Sequence, residues 1–550
     1  MPTITYDKKD LLNLIGRKLS DSQLVETINS IKPSVENIDK KEITVEHTAD
    51  RIDLLGIEGL ARAIRQCLGI EKGLKQYKIG KPRITIRVES VPVRPYVASA
   101  VIKNVKLTDE MIKSLMNIQE ILHETIGRDR RKVAIGIHDL DKIYPPITYT
   151  GVSKDTKMIP LGFSGEMSLE EVLEKVEKGK KYGKLISSGK KWPVFVDKKG
   201  IFSFPPIINS NRTRVTEKTK NLFLDITGID RKAVKQTLNI IVTNLAERKC
   251  KIEAVKLKYK IKTDILPKLE NDVIEIEKNQ INKLLGLNLS ENKIVELLEK
   301  MGYHVVISRG RIEVIIPSYR VDILHPVDII EDIAIAYGYN NFVPELPKLA
   351  TIGEEDRLES FSNRLRELMI GFGFQEIMRP ILTNLKEQFD RMCLNKTNVI
   401  TLENPVSENY TCLRVWLLPD LLSTLSSNKH VNYPQNLFEL GDVVIPDEKT
   451  ETKSKDIRKL AFVISHGKVS FPEIKSIVEN ILSNLGIKNY KFKEVKHPSF
   501  IKGRVAKVVV NSNNIGIFGE IHPLVLENWK IEMPTGACEI TIDNLAEQIS

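Results

Sequence analysis

The chain has 550 residues, more than one hydrophobic core usually supports, so about three to four domains are expected. Its 41% hydrophobic content suits folded domains, and 83 Lys plus Arg against 72 Asp plus Glu leave a net charge of +11, compatible with a nucleic-acid partner without selecting RNA or DNA. The five cysteines (Cys67, Cys250, Cys393, Cys412 and Cys538) form neither a CxxC pair nor a zinc spacing, the N-terminus lacks an apolar signal core, and no uncharged run approaches a membrane span, so reduced thiols and a cytoplasmic location are expected.

In chain order, the first recognisable element is half of a repeat. Leu14-Ile-Gly-Arg-Lys-Leu-Ser-Asp-Ser-Gln-Leu-Val-Glu26 aligns without a gap on Leu284-Leu-Gly-Leu-Asn-Leu-Ser-Glu-Asn-Lys-Ile-Val-Glu296. Ser20 and Ser290 are the expected N-caps of helices with apolar residues at helical spacing, Leu24, Ile28 and Ile31 in one copy and Ile294, Leu298 and Met301 in the other. Ile43-Thr-Val and Arg51-Ile-Asp-Leu-Leu55 then match Ile312-Glu-Val and Arg320-Val-Asp-Ile-Leu324, so each copy reads as helix, strand, turn and second helix. Between the copies, short apolar runs such as Val133–Ile137, Ile201–Ile208 and Leu238–Asn244, with a capped helix from Ser168, read as an inserted α+β domain. From Glu354 an amphipathic helix with Leu358, Phe361, Leu365 and Leu368 opens a last region of strands and helices, with Pro446–Lys459 an exposed hairpin or loop.

The segment Pro317–Tyr339 of the second copy sets Asp322, Asp328, Glu331 and Asp332 among apolar residues with almost no basic partner. A helix after Pro326 puts Asp328, Glu331 and Asp332 at i, i+3 and i+4 on one face, with Asp322 approaching from the preceding turn. These acids either start the helix or hold magnesium, which takes oxygen ligands of this kind. With Asp53 placed over Asp322, the first copy has Gly59, Arg62 and Ala63 at the other three positions, which moves the balance toward metal.

His47-Thr-Ala-Asp-Arg-Ile-Asp-Leu-Leu-Gly-Ile-Glu-Gly-Leu-Ala-Arg62, Phe204-Pro-Pro-Ile-Ile-Asn209, Asn221-Leu-Phe-Leu-Asp-Ile-Thr-Gly228 and the acidic segment together resemble the β subunit of phenylalanyl-tRNA synthetase, in its archaeal and eukaryotic cytosolic form, over essentially the whole chain. The resemblance implies an α+β multidomain protein: a winged-helix-like module at 1–88, an inserted editing domain at 89–265 (B3/4-like), a B5-like winged-helix module at 266–345 and a degenerate class II synthetase domain, an antiparallel sheet with helices, at 346–550. It also implies an α2β2 heterotetramer that joins phenylalanine to its tRNA, with ATP and the aminoacylation site on the α subunit. A magnesium site at Asp322, Asp328, Glu331 and Asp332 would lie against that subunit. Gly373–Pro380, Leu413–Pro419 with Leu437–Asp442, and Gly516–Pro523 stand where the class II motifs would; the last has no arginine to meet ATP phosphates, so Arg414 is expected to be structural and the domain inert.

The inserted domain then corresponds to a site that hydrolyses tyrosine mischarged onto the phenylalanine tRNA. A hydrophobic pocket discriminates poorly against an added hydroxyl, so a second pocket must offer the phenol a hydrogen-bond partner. Asp225 and Thr227 are candidates, sharing one face if their stretch is a strand. Asn209 and Ser210, after the Pro205–Pro206 turn, would orient the ester or a water, and His138 is either a weak candidate base or a structural residue. Two alternatives remain open: an RNA-binding scaffold without hydrolytic activity, and a magnesium-dependent hydrolase centred on the acidic cluster.

Overall fold

A computed structural model describes residues 2–308, 311–543 and 545, in two compact units that divide between Glu345 and Leu346. The chain opens with β1 (Thr3–Asp7), α1 (Lys8–Ile15), α2 (Asp21–Ile31), β2 (Ser34–Ile38), β3 (Glu42–Glu46) and α3 (Ile57–Cys67). Ser20 caps α2 in a reciprocal box with Gln23, and Leu24, Ile28 and Ile31 turn inward. The three strands form a sheet in the order β1-β3-β2.

The inserted domain comprises β4 (Ile79–Val88), β5 (Tyr96–Lys103), α4 (Asp109–Glu124), β6 (Val133–Asp139), β7 (Ile147–Val152), β8 (Lys157–Met158), β9 (Met167–Ser168), α5 (Leu169–Lys175), α6 (Glu177–Tyr182), β10 (Trp192–Asp197), β11 (Gly200–Phe204), β12 (Ile208–Asn209), β13 (Asn221–Gly228), α7 (Arg231–Glu247), β14 (Lys251–Lys258) and β15 (Thr263–Leu266). Its main sheet runs β12-β11-β10-β7-β4-β14-β5-β13-β6, with β15 beside β14. Ile79–Val88, expected to close the first module, is instead a strand of this sheet, held by parallel pairing to β14 and β7. Leu238–Asn244 is helical rather than an extended run: Asp230 caps α7, and burial is almost continuous from Thr237 to Leu245, so apolar residues are accepted around much of the helix.

The second module repeats the first: β16 (Asp272–Glu277), α8 (Lys278–Leu285), α9 (Glu291–Lys300), β17 (His304–Ser308), β18 (Arg311–Ile316) and α10 (Pro326–Tyr337), with the sheet β16-β18-β17. The two modules pack reciprocally, α2 against α10 and α3 against α9, which is the pattern of an isologous pair built into one chain. The reciprocity reaches single residues. Lys32 follows α2 at φ 139 and reaches Glu331 of α10; its counterpart Gly302 follows α9 at φ 86, where a Cβ would meet the Gln66 side chain of α3.

The other unit is built on a seven-stranded sheet, β19 (Gln375–Glu376), β22 (Gln435–Pro446), β23 (Ser454–Ser465), β27 (Thr535–Thr541), β26 (Asn513–Ile521), β25 (Phe500–Val510) and β24 (Tyr490–Glu494) in spatial order, antiparallel except at β19, while β20 (Leu382–Thr383) and β21 (Cys412–Leu413) pair separately. Alternation along β22 and β23 sends Phe438, Leu440, Leu460 and Phe462 to the face covered by helices Arg357–Gly371 and Phe471–Asn484. Leu437, Ala461 and Val463 face helix Leu418–Ser427 on the other side.

Candidate functional site

Strands β6, β12 and β13, helix α4 and the Pro205–Ile207 turn enclose a cavity of about 410 Å³. Most of its lining is apolar, including Ile112, Met116, Ala134, Ile137, Phe204 and Ile208, and its two carboxylates are Glu120 and Asp225. Arg130 claims the first: its Nη2 donates to both Glu120 oxygens at 2.9 Å while Nη1 donates to the carbonyls of Pro206 and Ile207 at 3.0 Å. Burial alone would raise the Glu120 carboxyl, yet hydrogen bonding from His123 and the charge of Arg130 hold it well below the usual carboxylate range. His123 takes the Ile135 N–H on Nε2, and burial pushes it down to about 4. This latch ties the Pro205–Ile207 turn to α4 and so shapes one wall of the cavity.

Asp225 is arranged differently. The β13 register puts it opposite Gly136 of β6, where a Cβ would fall 2.6 Å from both carboxylate oxygens. Gly136 thus makes room for the acid, which lies over its backbone. Oδ2 meets His138 Nε2 at 2.8 Å; among the described residues no protein donor is recorded on Oδ1. Asp225 can therefore accept a hydrogen bond from a ligand in an otherwise apolar space.

The other expected pocket residues divide. Asn209 lines the cavity, and its Nδ2 donates to Ile137 O at 3.2 Å, pinning β12 to β6. Ser210 does not line it: its hydroxyl donates to Ile159 O at 3.0 Å and accepts from Arg212 N, so it fastens a turn. Thr227 shares the strand face of Asp225 but belongs to Arg94, whose Nε donates to its hydroxyl at 2.8 Å and whose Nη2 donates to its carbonyl at 2.9 Å. Burial pushes the Arg94 guanidinium down to about 10. His138 is fully buried edge-on against Phe202 and stands outside the lining, with Nε2 2.8 Å from Asp225 Oδ2 and Nδ1 2.9 Å from Thr213 Oγ1.

The acidic segment is also rearranged relative to expectation. Pro326 begins α10, and Asp328 turns back to accept from the N–H groups of Leu324 and His325 at 2.8 Å, completing a capping box. Glu331 pairs with Lys32 at 3.0 Å across the module interface. Asp322 and Asp332 both bind the buried Arg320, at 2.7 and 2.6 Å, and Asp332 also accepts from the Tyr303 hydroxyl. Burial and the neighbouring Asp332 push that phenol well above its ordinary value, so it stays a donor. Among the described residues no group of three or more His, Cys, Asp or Glu is arranged to hold a metal ion. In this arrangement a guanidinium, an ammonium and two backbone N–H groups compensate Asp322, Asp328, Glu331 and Asp332. Asp53, the counterpart of Asp322, takes Arg51 in the same way, at 2.9 and 3.0 Å.

In the second unit Arg414 points inward, its Nη1 2.6 Å from Glu439 and 3.0 Å from Asp420 and its Nε on the Asp442 carbonyl. Burial pushes Asp420 up to about 6. Gly441 leaves room for the guanidinium, since a Cβ there would lie 2.6 Å from Arg414 Nη2. Arg414 is thus held within the fold by two buried carboxylates and a backbone carbonyl.

Comparison with known proteins places this paired module, inserted domain and large antiparallel unit in a subunit of an aminoacyl-tRNA synthetase. Residues 94–269 match the B3/4 domain, 274–339 the tRNA synthetase B5 domain and 343–542 the phenylalanyl tRNA synthetase beta chain CLM domain. The phenylalanine–tRNA ligase beta subunit of Methanocaldococcus jannaschii is 44% identical over 99% of this chain and 100% of its own length; that of Thermococcus kodakarensis is 43% identical over 98% of each. A crystal structure of an N-terminal fragment of the Pyrococcus horikoshii phenylalanyl-tRNA synthetase beta subunit superposes with a TM-score of 0.60 at 43% identity, covering 62% of this chain and all of the fragment. The chain belongs to the phenylalanine–tRNA ligase beta subunit family.

Proposed function

We propose that the cavity at Asp225 hydrolyses tyrosine mischarged onto the phenylalanine tRNA. The observation that carries this reading is a mostly apolar space of about 410 Å³ in which Asp225 presents an oxygen that, among the described residues, no protein group donates to. An aromatic ring is sheltered by the apolar lining, and a phenol hydroxyl supplies the donor that Asp225 lacks. A phenylalanine ring supplies none and leaves a desolvated carboxylate unsatisfied. The lining holds no cysteine, and its hydroxyl beside a base, Thr213 Oγ1 at 2.9 Å from His138 Nδ1, is buried in the turn Asn211–Thr213. Water is thus the nucleophile: its oxygen bonds to the ester carbonyl carbon, the bond to the ribose oxygen breaks, and that oxygen takes the proton. The terminal hydroxyl of the tRNA assists. When the assembled enzyme is given tyrosine, ATP and tRNA, it is expected to consume ATP without accumulating tyrosyl-tRNA; Asp225→Ala is expected to accumulate it, and wild-type accumulation would overturn the reading.

We infer further that aminoacylation, with its ATP, belongs to an α subunit in an α2β2 assembly in the cytoplasm, and that this chain scaffolds the assembly and helps bind tRNA. Arg414, engaged with Glu439 and Asp420, and the segment Gly516–Pro523 without an arginine support an inert synthetase-like unit. Pyrophosphate exchange by the purified chain without α would contradict it.

A further inference from the structure

We propose that His138 and Thr213 are positioning residues that hold Asp225 as a fixed acceptor, so that the cavity selects a ligand bringing its own hydrogen-bond donor. This assignment rests on the editing reading of the cavity. Three buried polar groups stand in series: Thr213 Oγ1 lies 2.9 Å from His138 Nδ1, and His138 Nε2 lies 2.8 Å from Asp225 Oδ2. The Thr213 hydroxyl has one hydrogen and three acceptors in reach. Nδ1 at 2.9 Å is nearer than the carbonyls of Ser210 at 3.4 Å and Phe202 at 3.5 Å. Donation to Nδ1 places the imidazole hydrogen on Nε2, which donates to Oδ2. The carboxylate is thereby oriented through one oxygen, and the other is left to accept from the cavity.

The surroundings keep this chain in one geometry. The His138 ring stands perpendicular to Phe202 at 5.2 Å and tilted against Phe223 at 6.3 Å, and Gly136 gives the carboxylate room to lie flat. Thr213 sits in the turn Asn211–Thr213, which Ser210 caps. Ser210 therefore acts on the cavity indirectly, by fixing the turn that carries Thr213. A carboxylate locked as an acceptor rejects a ring without a donor by leaving its own oxygen unpaired, the form of discrimination that exceeds what apolar contact alone achieves.

Deacylation of tyrosyl- and phenylalanyl-tRNA by the assembled enzyme tests the assignment. Thr213→Val and His138→Leu are expected to lower the preference for tyrosyl-tRNA by about tenfold, mainly through KM, with phenylalanyl-tRNA hydrolysis unchanged. Thr213→Ser and His138→Gln, which keep a hydroxyl and a side-chain donor, are expected to retain most of the preference. An unchanged preference in Thr213→Val, or equal losses in Thr213→Val and Thr213→Ser, would overturn the relay. If those results came with a strong loss in Asp225→Ala, the editing reading would stand without the relay; a wild-type enzyme that released no tyrosine would remove both.

Discussion

The acidic segment of α10 and the cavity of the inserted domain both gather carboxylates, but they dispose of them in opposite ways. Asp322, Asp328, Glu331 and Asp332 each have a partner from the protein: Arg320 for two, Lys32 for one, backbone N–H groups for the other. In the cavity Glu120 is likewise taken, by Arg130 and Lys178, whereas among the described residues no protein group donates to the second oxygen of Asp225. A dense run of acids can thus be architecture, and a single acid on a buried strand can be the group that meets a ligand. What separates them is the charge brought by distant parts of the chain.

The largest expected effect tests the architectural side. Asp332→Ala strips a carboxylate from buried Arg320 and the acceptor from Tyr303, and is expected to cost unit Met1–Glu345 about 3 to 5 kcal/mol in denaturant unfolding. A cost near zero would show that the pair does not hold the module together. Acid sharpens the contrast between the two units. Burial holds His47 and His123 at about 4, below the ordinary 6.5, so as pH falls from 6.5 toward 4 the unfolded chain gains protons that the folded unit does not. Stability is lost across that window, on the order of 3 kcal/mol for each at full shift. Asp420, pushed up to about 6 by burial, works the other way: its contribution in the second unit is full below pH 4 and is lost as pH rises through about 6. Hydrogen exchange at pH 5 and 7 would show whether the units respond with opposite signs.

Next in size, Gly136→Ala puts a methyl group against the Asp225 carboxylate and is expected to cost about 1 to 3 kcal/mol while slowing tyrosyl-tRNA hydrolysis. Normal hydrolysis would show that the carboxylate does not need that position. The smallest effects belong to the outer acids. Asp328→Ala removes a cap worth about 1 kcal/mol, and Glu331→Ala removes a half-exposed pair worth less than about 1 kcal/mol. Thermal melts with and without magnesium are expected to show the same small costs; a magnesium-dependent difference would give these residues a metal role.

Local signals made much of this legible. Ser20, Ser168 and Ser290 cap helices as their sequences suggest, and the apolar periodicity around Leu24 and Ile294 marks the repeated module. Alternation in Asn221–Gly228 puts Asp225 and Thr227 on one face. Their separate fates are decided by residues far off in sequence, Arg94 for Thr227 and Gly136 and His138 for Asp225, which strand periodicity does not reveal. The partners of the acidic segment are hidden for the same reason. Arg320 stands beside the acids in sequence, but its reach to both Asp322 and Asp332 depends on the turn into α10, and Lys32 comes from the other copy of the repeat.

The most direct test compares tyrosyl-tRNA hydrolysis by the assembled enzyme carrying Asp225→Ala with the same enzyme carrying Asp328→Ala and Glu331→Ala. Asp225→Ala is expected to lose about a hundredfold in rate with phenylalanine charging intact, and the double variant to hydrolyse normally. Normal hydrolysis by Asp225→Ala, or its loss in the correctly assembled double variant, would contradict the division of roles between the two regions.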